Sequence, residues 1–196
     1  MLITDINQLD PDGSYTYADY TTWQFSEYIE LIKGKIFRMS PAPALKHQRI
    51  SWRMSGLVWE ALRNKSCQAF AAPFDVRLYT KNKKGVSTKT VVQPDLCVIY
   101  DTTKLDEQGC DGAPDLIVEI LSPGNTKKEM RDKFDVYEDA GVQEYWLVHP
   151  TEKNVIVYIL NEQGKYVGSR PYTDEDIIAT PIIPALQMNL SEVFAD

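Results

Sequence analysis

Apolar residues recur at helical spacing between positions 47 and 63, where Ile50, Met54, Leu57, Val58, Ala61 and Leu62 share one side. That pattern predicts an amphipathic helix of about four to five turns. From 74 to 79 the period drops to two, with Phe, Val and Leu alternating against Asp, Arg and Tyr, as in a half-buried strand. Two further runs, 91–100 and 115–121, are rich in Val and Ile and of strand length, with a polar loop between them. The chain turns at Ser122-Pro123-Gly124-Asn125, and a second helix is expected from about Thr126 through Phe134 and Tyr137. Gly141 is a natural left-handed stop for it. Positions 144–148 and 155–160 read as strands. Upstream, 27–39 reads as a hairpin turned at Lys33-Gly34, followed by a loop over 40–43. Beyond Asn161 the pattern gives turns, a short strand around Ile182 and Ile183, and a docked end at Val193-Phe194.

The middle of the chain is thus helix, three strands, helix, strand, a mixed α/β order. The unit over 115–148 is a strand, helix, strand crossover, which calls for a right-handed parallel pairing. A chain of 196 residues with 43% hydrophobic and 25% charged residues is long enough for one sizeable core and short for two. The division expected is an N-terminal extension over 1–26 and a single domain over 27–196 with its core at 47–160. The start, MLITDINQLDPDG, is acidic where a secretory signal needs a basic residue and an apolar run. No apolar stretch exceeds strand length, so a cytoplasmic protein with no membrane partner is expected. Cys67, Cys97 and Cys110 form no CxxC pair and read as packing residues in a reducing compartment.

The net charge of −7 excludes broad attraction to nucleic acid, because phosphate binding is driven by Lys and Arg. Any such contact has to be local. Two basic clusters qualify: Lys81, Lys83, Lys84 and Lys89 in one loop, and Lys127, Lys128, Arg131 and Lys133 on the second helix. Solvated surface lysines explain the first cluster equally well.

Candidate chemistry lies in two Pro-Asp pairs, Pro94-Asp95 and Pro114-Asp115, and in Glu119. Asp115 and Glu119 share a strand but stand about 13 Å apart along it, too far to share one cation. If the strands of Asp95 and Glu119 pair, their carboxylates come from neighbours about 5 Å apart and can converge on one metal ion. A glutamate inside LIVEIL is costly to bury without a partner, either a metal or a basic residue within the fold. Lys133 is the candidate cation for orienting water and neutralising charge on a scissile phosphate, with Tyr137 one turn further on the same face. The plain alternative for Lys133 is an exposed lysine paired with Asp132 or Glu129. His47 either lies near the site or starts the first helix; with His149 as its only companion, zinc is not expected.

The ordered series IELIKGKIFRMSPAP, QPDLCVIYD, GAPDLIVEILSPGNT and RDKFDVYEDAGVQEYWLVHP resembles the Uma-type restriction-endonuclease family, a branch of the PD-(D/E)xK nuclease superfamily. The likeness runs from about Glu27 to Leu160. It implies a restriction-endonuclease-like core of helix, three antiparallel strands, helix and strand, here with an N-terminal β-hairpin and C-terminal strands. It also implies a metal-dependent phosphodiesterase site, with Asp95 and Glu119 as ligands and Glu30 as an extra acidic ligand; a hairpin pairing of Glu30 with Lys33 or Lys35 is the alternative. One departure stands out. The superfamily's Glu-x-Lys would put lysine at 121, where this chain has Leu121, and Lys133 fills that place from the following helix.

The expected function is therefore a Mg2+- or Mn2+-dependent endonuclease acting on DNA, with Asp95, Glu119 and Lys133 as catalytic residues and a homodimer as a possible assembly. The competing expectation is a nuclease-like module that binds nucleic acid or protein without cutting.

Overall fold

The computed structural model describes residues 3–39, 44–79, 88–123 and 127–195. The loop over 40–43, the lysines at 81, 83 and 84, and the turn at 124–126 lie outside them. In chain order the helices are α1 (Tyr17–Tyr20), α2 (Leu45–Leu62), α3 (Lys127–Ala140) and α4 (Leu190–Val193). The strands are β1 (Ile29–Ile32), β2 (Lys35–Arg38), β3 (Gln68–Ala71), β4 (Val76–Leu78), β5 (Thr90–Val92), β6 (Leu96–Ile99), β7 (Leu105–Asp106) and β8 (Gly109–Asp111). Then come β9 (Leu116–Ile120), β10 (Glu144–His149), β11 (Asn154–Leu160), β12 (Tyr166–Gly168), β13 (Tyr172–Thr173), β14 (Ile177–Thr180) and β15 (Ile183–Asn189).

The central sheet runs β12-β11-β10-β9-β6-β3, antiparallel except for the parallel pair β9 and β10, whose crossover is α3. Period-two alternation divides its residues between two cores. Leu96, Val98, Leu116, Val118, Trp146 and Val148 face α2 and the C-terminal hairpin β14-β15. Cys97, Ile99, Ile117, Tyr145 and Leu147 face α3 and a second sheet of order β2-β1-β5-β4-β8-β7. The fold is thus mixed α/β with mixed sheets. Among the described residues no helix is long and apolar enough to cross a membrane.

Several expected elements are present. Lys33 and Gly34 both take positive φ, 52° and 81°, and turn the β1-β2 hairpin. Gly141 has φ 87° and, with Val142, donates its backbone N–H to the Tyr137 carbonyl, closing α3. Two strand expectations need correction. The run 91–100 is not one strand: β5 lies in the second sheet and β6 in the central one. Proline has no N–H for a ladder, so the chain leaves one sheet at Val92 and enters the other after Pro94. Likewise 74–79 does not supply the first strand of the central sheet. Its β4 belongs to the second sheet, and the central edge is β3, whose short QAFA run lacks clear alternation.

Buried Glu144 fastens the C-terminal hairpin to the central sheet, accepting from Trp146 Nε1 at 2.9 Å and from Thr180 Oγ1 at 2.7 Å. Thr180→Val keeps the shape but strands one carboxylate oxygen. Such a group costs about 1–3 kcal/mol, and a lower urea midpoint with unchanged slope is the expected reading.

Candidate active site

The switch between sheets at Pro94 brings four elements to one place. Extending the antiparallel β6-β9 register by one residue from Leu96 and Val118 sets Asp95 opposite Glu119. Glu119 shares the alternation of Ile117, and so faces α3. From that helix Lys133 and Tyr137, one turn apart, reach the same carboxylate. Lys133 Nζ donates to Glu119 Oε1 at 3.0 Å and to Oε2 at 3.1 Å, and Tyr137 Oη donates to Oε1 at 2.5 Å. The fourth contribution comes from β1, where Glu30 Oε1 lies 3.0 Å from Lys133 Nζ and accepts the Gln93 backbone N–H at 2.8 Å. Glu30, Glu119, Lys133 and Tyr137 are all buried.

Asp95 sits at the rim of this cluster. Its Oδ2 accepts the Ile120 N–H at 2.7 Å, and its Oδ1 lies 3.2 Å from His47 Nε2 at the start of α2. His47 Nδ1 is buried and without a hydrogen-bond partner among the described residues.

Burial dominates the electrostatics. It raises Glu119 to about 7, against the lowering effect of Lys133 and with the like charges of Glu30 and Asp95 adding to the rise. Glu30 is raised too, chiefly by burial. Burial works to strip the Lys133 proton, but two carboxylates outweigh it and hold that proton well beyond the ordinary lysine range. For His47 burial again opposes the charge, and the hydrogen bond and charge of Asp95 overcome it. Three carboxylates thus face one buried ammonium and one histidine, an excess of negative charge that a cation relieves.

Asp95, Glu119, Lys133 and Glu30 are therefore neighbours, but their pairing differs from a shared metal set. Glu30 pairs with Lys133 rather than with Lys33 or Lys35, and Lys133 pairs with neither Asp132 nor Glu129. No group of three His, Cys, Asp or Glu side chains among the described residues is arranged to hold a metal ion. The oxygen donors suit a hard divalent cation in kind, and the like charges of Glu30 and Asp95, which add to the rise that burial gives Glu119, are what such an ion neutralises. Tyr137 was legible through its spacing from Lys133. His47, expected either near the site or at the start of the first helix, does both. Its particular partner Asp95 and the role of the Gln93 N–H left no signal, since both depend on where the chain changes sheets. Of the basic residues at the start of α3, Lys127 and Arg131 are exposed and Lys128 pairs with Asp132 at 3.8 Å.

A model of the family described as "Uma2: Putative restriction endonuclease" matches residues 17–191. An uncharacterized protein of Synechocystis sp. is 26% identical over 152 residues, covering 76% of each chain. The crystal structure of a "putative nuclease belonging to DUF820" from Anabaena variabilis superposes with a TM-score of 0.70 at 20% identity, covering 92% of this chain and 98% of that one. At that identity the likeness is one of fold.

Replacing Lys133 with Met leaves two buried carboxylates uncompensated, at a cost of about 3–5 kcal/mol. Because Glu119 and Glu30 have raised pKa values in the folded state, protonation favours folding. Their contribution is full below the unfolded value, near 4.5; that of Glu119 is lost as pH rises through about 7, and that of Glu30 is lost as pH rises through its own raised value. The Lys133→Met deficit should accordingly be largest near pH ~8 and shrink toward pH ~5. Urea midpoints across that range measure it.

Proposed function

The chain belongs to the Uma2 family described as "Putative restriction endonuclease", and we propose that it is a metal-dependent endonuclease that hydrolyses phosphodiester bonds of DNA. The observation carrying this reading is the buried meeting of Glu119 and Lys133 beside Asp95, at the end of the sheet where β6 begins and β9 ends. The order α2, β3, β6, β9, α3, β10 supports a restriction-endonuclease-like core, with Lys133 reaching from the helix the point that Leu121 cannot serve.

In this reading Asp95 and Glu119 hold Mg2+ or Mn2+, with Glu30 as a further acidic neighbour. The bound ion supplies a Lewis acid for the phosphodiester and acidifies a water molecule. The protein does the rest. The Ile120 N–H and His47 fix the two Asp95 oxygens, and Tyr137 holds Glu119 and lowers its proton affinity. Lys133 stays protonated at neutral pH, and in this reading its ammonium stabilises charge growing on a phosphate oxygen. Exposed Lys127 and Arg131 lie near enough in sequence to seat the backbone of the substrate.

One observation favours a second reading, a nuclease-like scaffold that binds without cutting. Lys133 already occupies both buried glutamates, so the cluster is largely compensated without a metal.

Calorimetry with Mn2+ and cleavage of plasmid and linear DNA separate the two. The endonuclease reading expects Mn2+ binding and chelator-sensitive cleavage, with cleavage falling by at least about a hundredfold in Asp95→Ala and Glu119→Gln. Cleavage that survives both substitutions and chelation, or no Mn2+ binding at all, sinks it. Tyr137→Phe provides a finer check. Loss of its hydrogen bond raises the Glu119 pKa, so the pH midpoint for Mn2+ binding should move upward from about 7.

A further inference from the structure

The outward face of α2 is out of place on a helix whose inward face is core. Leu45, Arg49, Trp52, Gly56 and Trp59 follow one another at i, i+4, i+7, i+11 and i+14, and Arg63, the residue that caps the helix, continues the series at i+18. That is the heptad spacing of a seam between paired helices. Trp52 is 81% exposed, Trp59 68% and Leu45 67%, and these are the three largest exposures among the big apolar side chains of the described residues. At the centre of the stripe a Cβ added to Gly56 would meet nothing within 4 Å. A depression of about 340 Å³ opens there, lined by Trp52, Arg53, Gly56, Leu57 and Glu192.

We infer that this face is the interface of a twofold homodimer in which α2 packs antiparallel against α2 of a second copy. In an antiparallel heptad seam each position meets a defined partner, and one register satisfies the whole stripe. Trp52 lies over the partner's Gly56, so the bulkiest exposed residue meets the only position with no side chain. Trp59 lies against the partner's Arg49, a cation–π pairing, and Leu45 against the aliphatic stem of the partner's Arg63. Each contact occurs twice, as a twofold axis requires.

Charge agrees with the same register. Lys46 and Glu60 flank the seam on one side; Glu60 pairs with Arg63 of its own chain, and antiparallel pairing brings the partner's Lys46 to it as a second cation at both ends. Arg53 would face its own copy at the axis. It is instead drawn aside, donating to the carbonyls of Val193, at 3.3 Å, and Ala195. Trp and Arg are the residues that dominate the centres of protein interfaces. A single strand of nucleic acid would also find indoles and guanidinium groups here, but it gives no reason for a glycine four residues from Trp52 or for Glu60. The register places the two His47 residues, each beside its own Asp95, about 21 Å apart along the seam at 1.5 Å per residue.

Light scattering on the full chain tests the assembly. The wild type should have twice the 22.4 kDa mass of one chain. Gly56→Leu has open space in the single chain and ordinary helical geometry, so it should keep its circular dichroism while falling to the single-chain mass. Lys46→Glu and Glu60→Lys should each raise the dimer dissociation constant at least about tenfold, and the two together should restore it. These exposed charge variants keep the test open should Gly56→Leu misfold. A wild type of single-chain mass at every concentration overturns the inference, as does a dimer that survives Gly56→Leu and both single reversals. Monomers whose indole fluorescence is quenched by an oligodeoxythymidylate would overturn it as well, and would assign the stripe to nucleic acid.

Discussion

One buried ammonium holds this molecule's candidate site together. Lys133 Nζ sits 3.0 Å from Glu30 on β1 and 3.0 Å from Glu119 on β9, so a helix, the second sheet and the central sheet meet at a single charge. Burying three ionisable groups is expensive, and an apolar trio would join the same elements at no greater cost. The arrangement makes better sense as a site than as a clamp. Burial, opposed by Lys133 and aided by the like charges of Glu30 and Asp95, puts Glu119 at the edge of deprotonation near neutral pH. That is where a group exchanging a proton for a cation is useful.

The backbone break that assembles this centre is equally simple. Pro94 cannot join a ladder, so the chain changes sheets between Val92 and Leu96. The residues on either side of the break become neighbours in the candidate site. The Gln93 N–H, released from strand pairing, anchors Glu30, while Asp95 anchors on the Ile120 N–H beside Glu119. Glu30 and Asp95 are thereby each fixed by a main-chain donor as well as by a side chain, and Glu119 by the side chains of Lys133 and Tyr137, which limits the freedom of the cluster before any ligand arrives.

Helix α2 links the inside of the molecule to its outside. Ile50, Met54, Val58 and Leu62 fill the core against the central sheet, His47 touches Asp95, and the opposite face carries the exposed tryptophans. A helix bound on its inner face is already rigid, so a second copy meeting its outer face pays little ordering entropy. Through His47, that contact lies on the same rigid element as the candidate site.

Much of this was readable in the order of residues. Strong periods declare themselves: α2, α3, the strand of LIVEIL, the hairpin at Lys33-Gly34 and the stop at Gly141 all follow from local spacing and from glycine's backbone freedom. Asp95 and Glu119 stood out because charge at the edge or centre of an apolar run needs a partner, and Lys133 because it is a cation on the helix that follows the strand of Glu119. The partners themselves were decided by the tertiary structure. Nothing local distinguishes a Val91–Tyr100 run that stays in one sheet from one that changes sheets at Pro94, and QAFA carries too little pattern to announce an edge strand. Likewise Glu30 met Lys133, more than a hundred residues away in the chain, rather than Lys33 beside it. Side-chain period is a property of one segment, whereas charge compensation depends on which segments become neighbours, and only packing of the whole chain determines that.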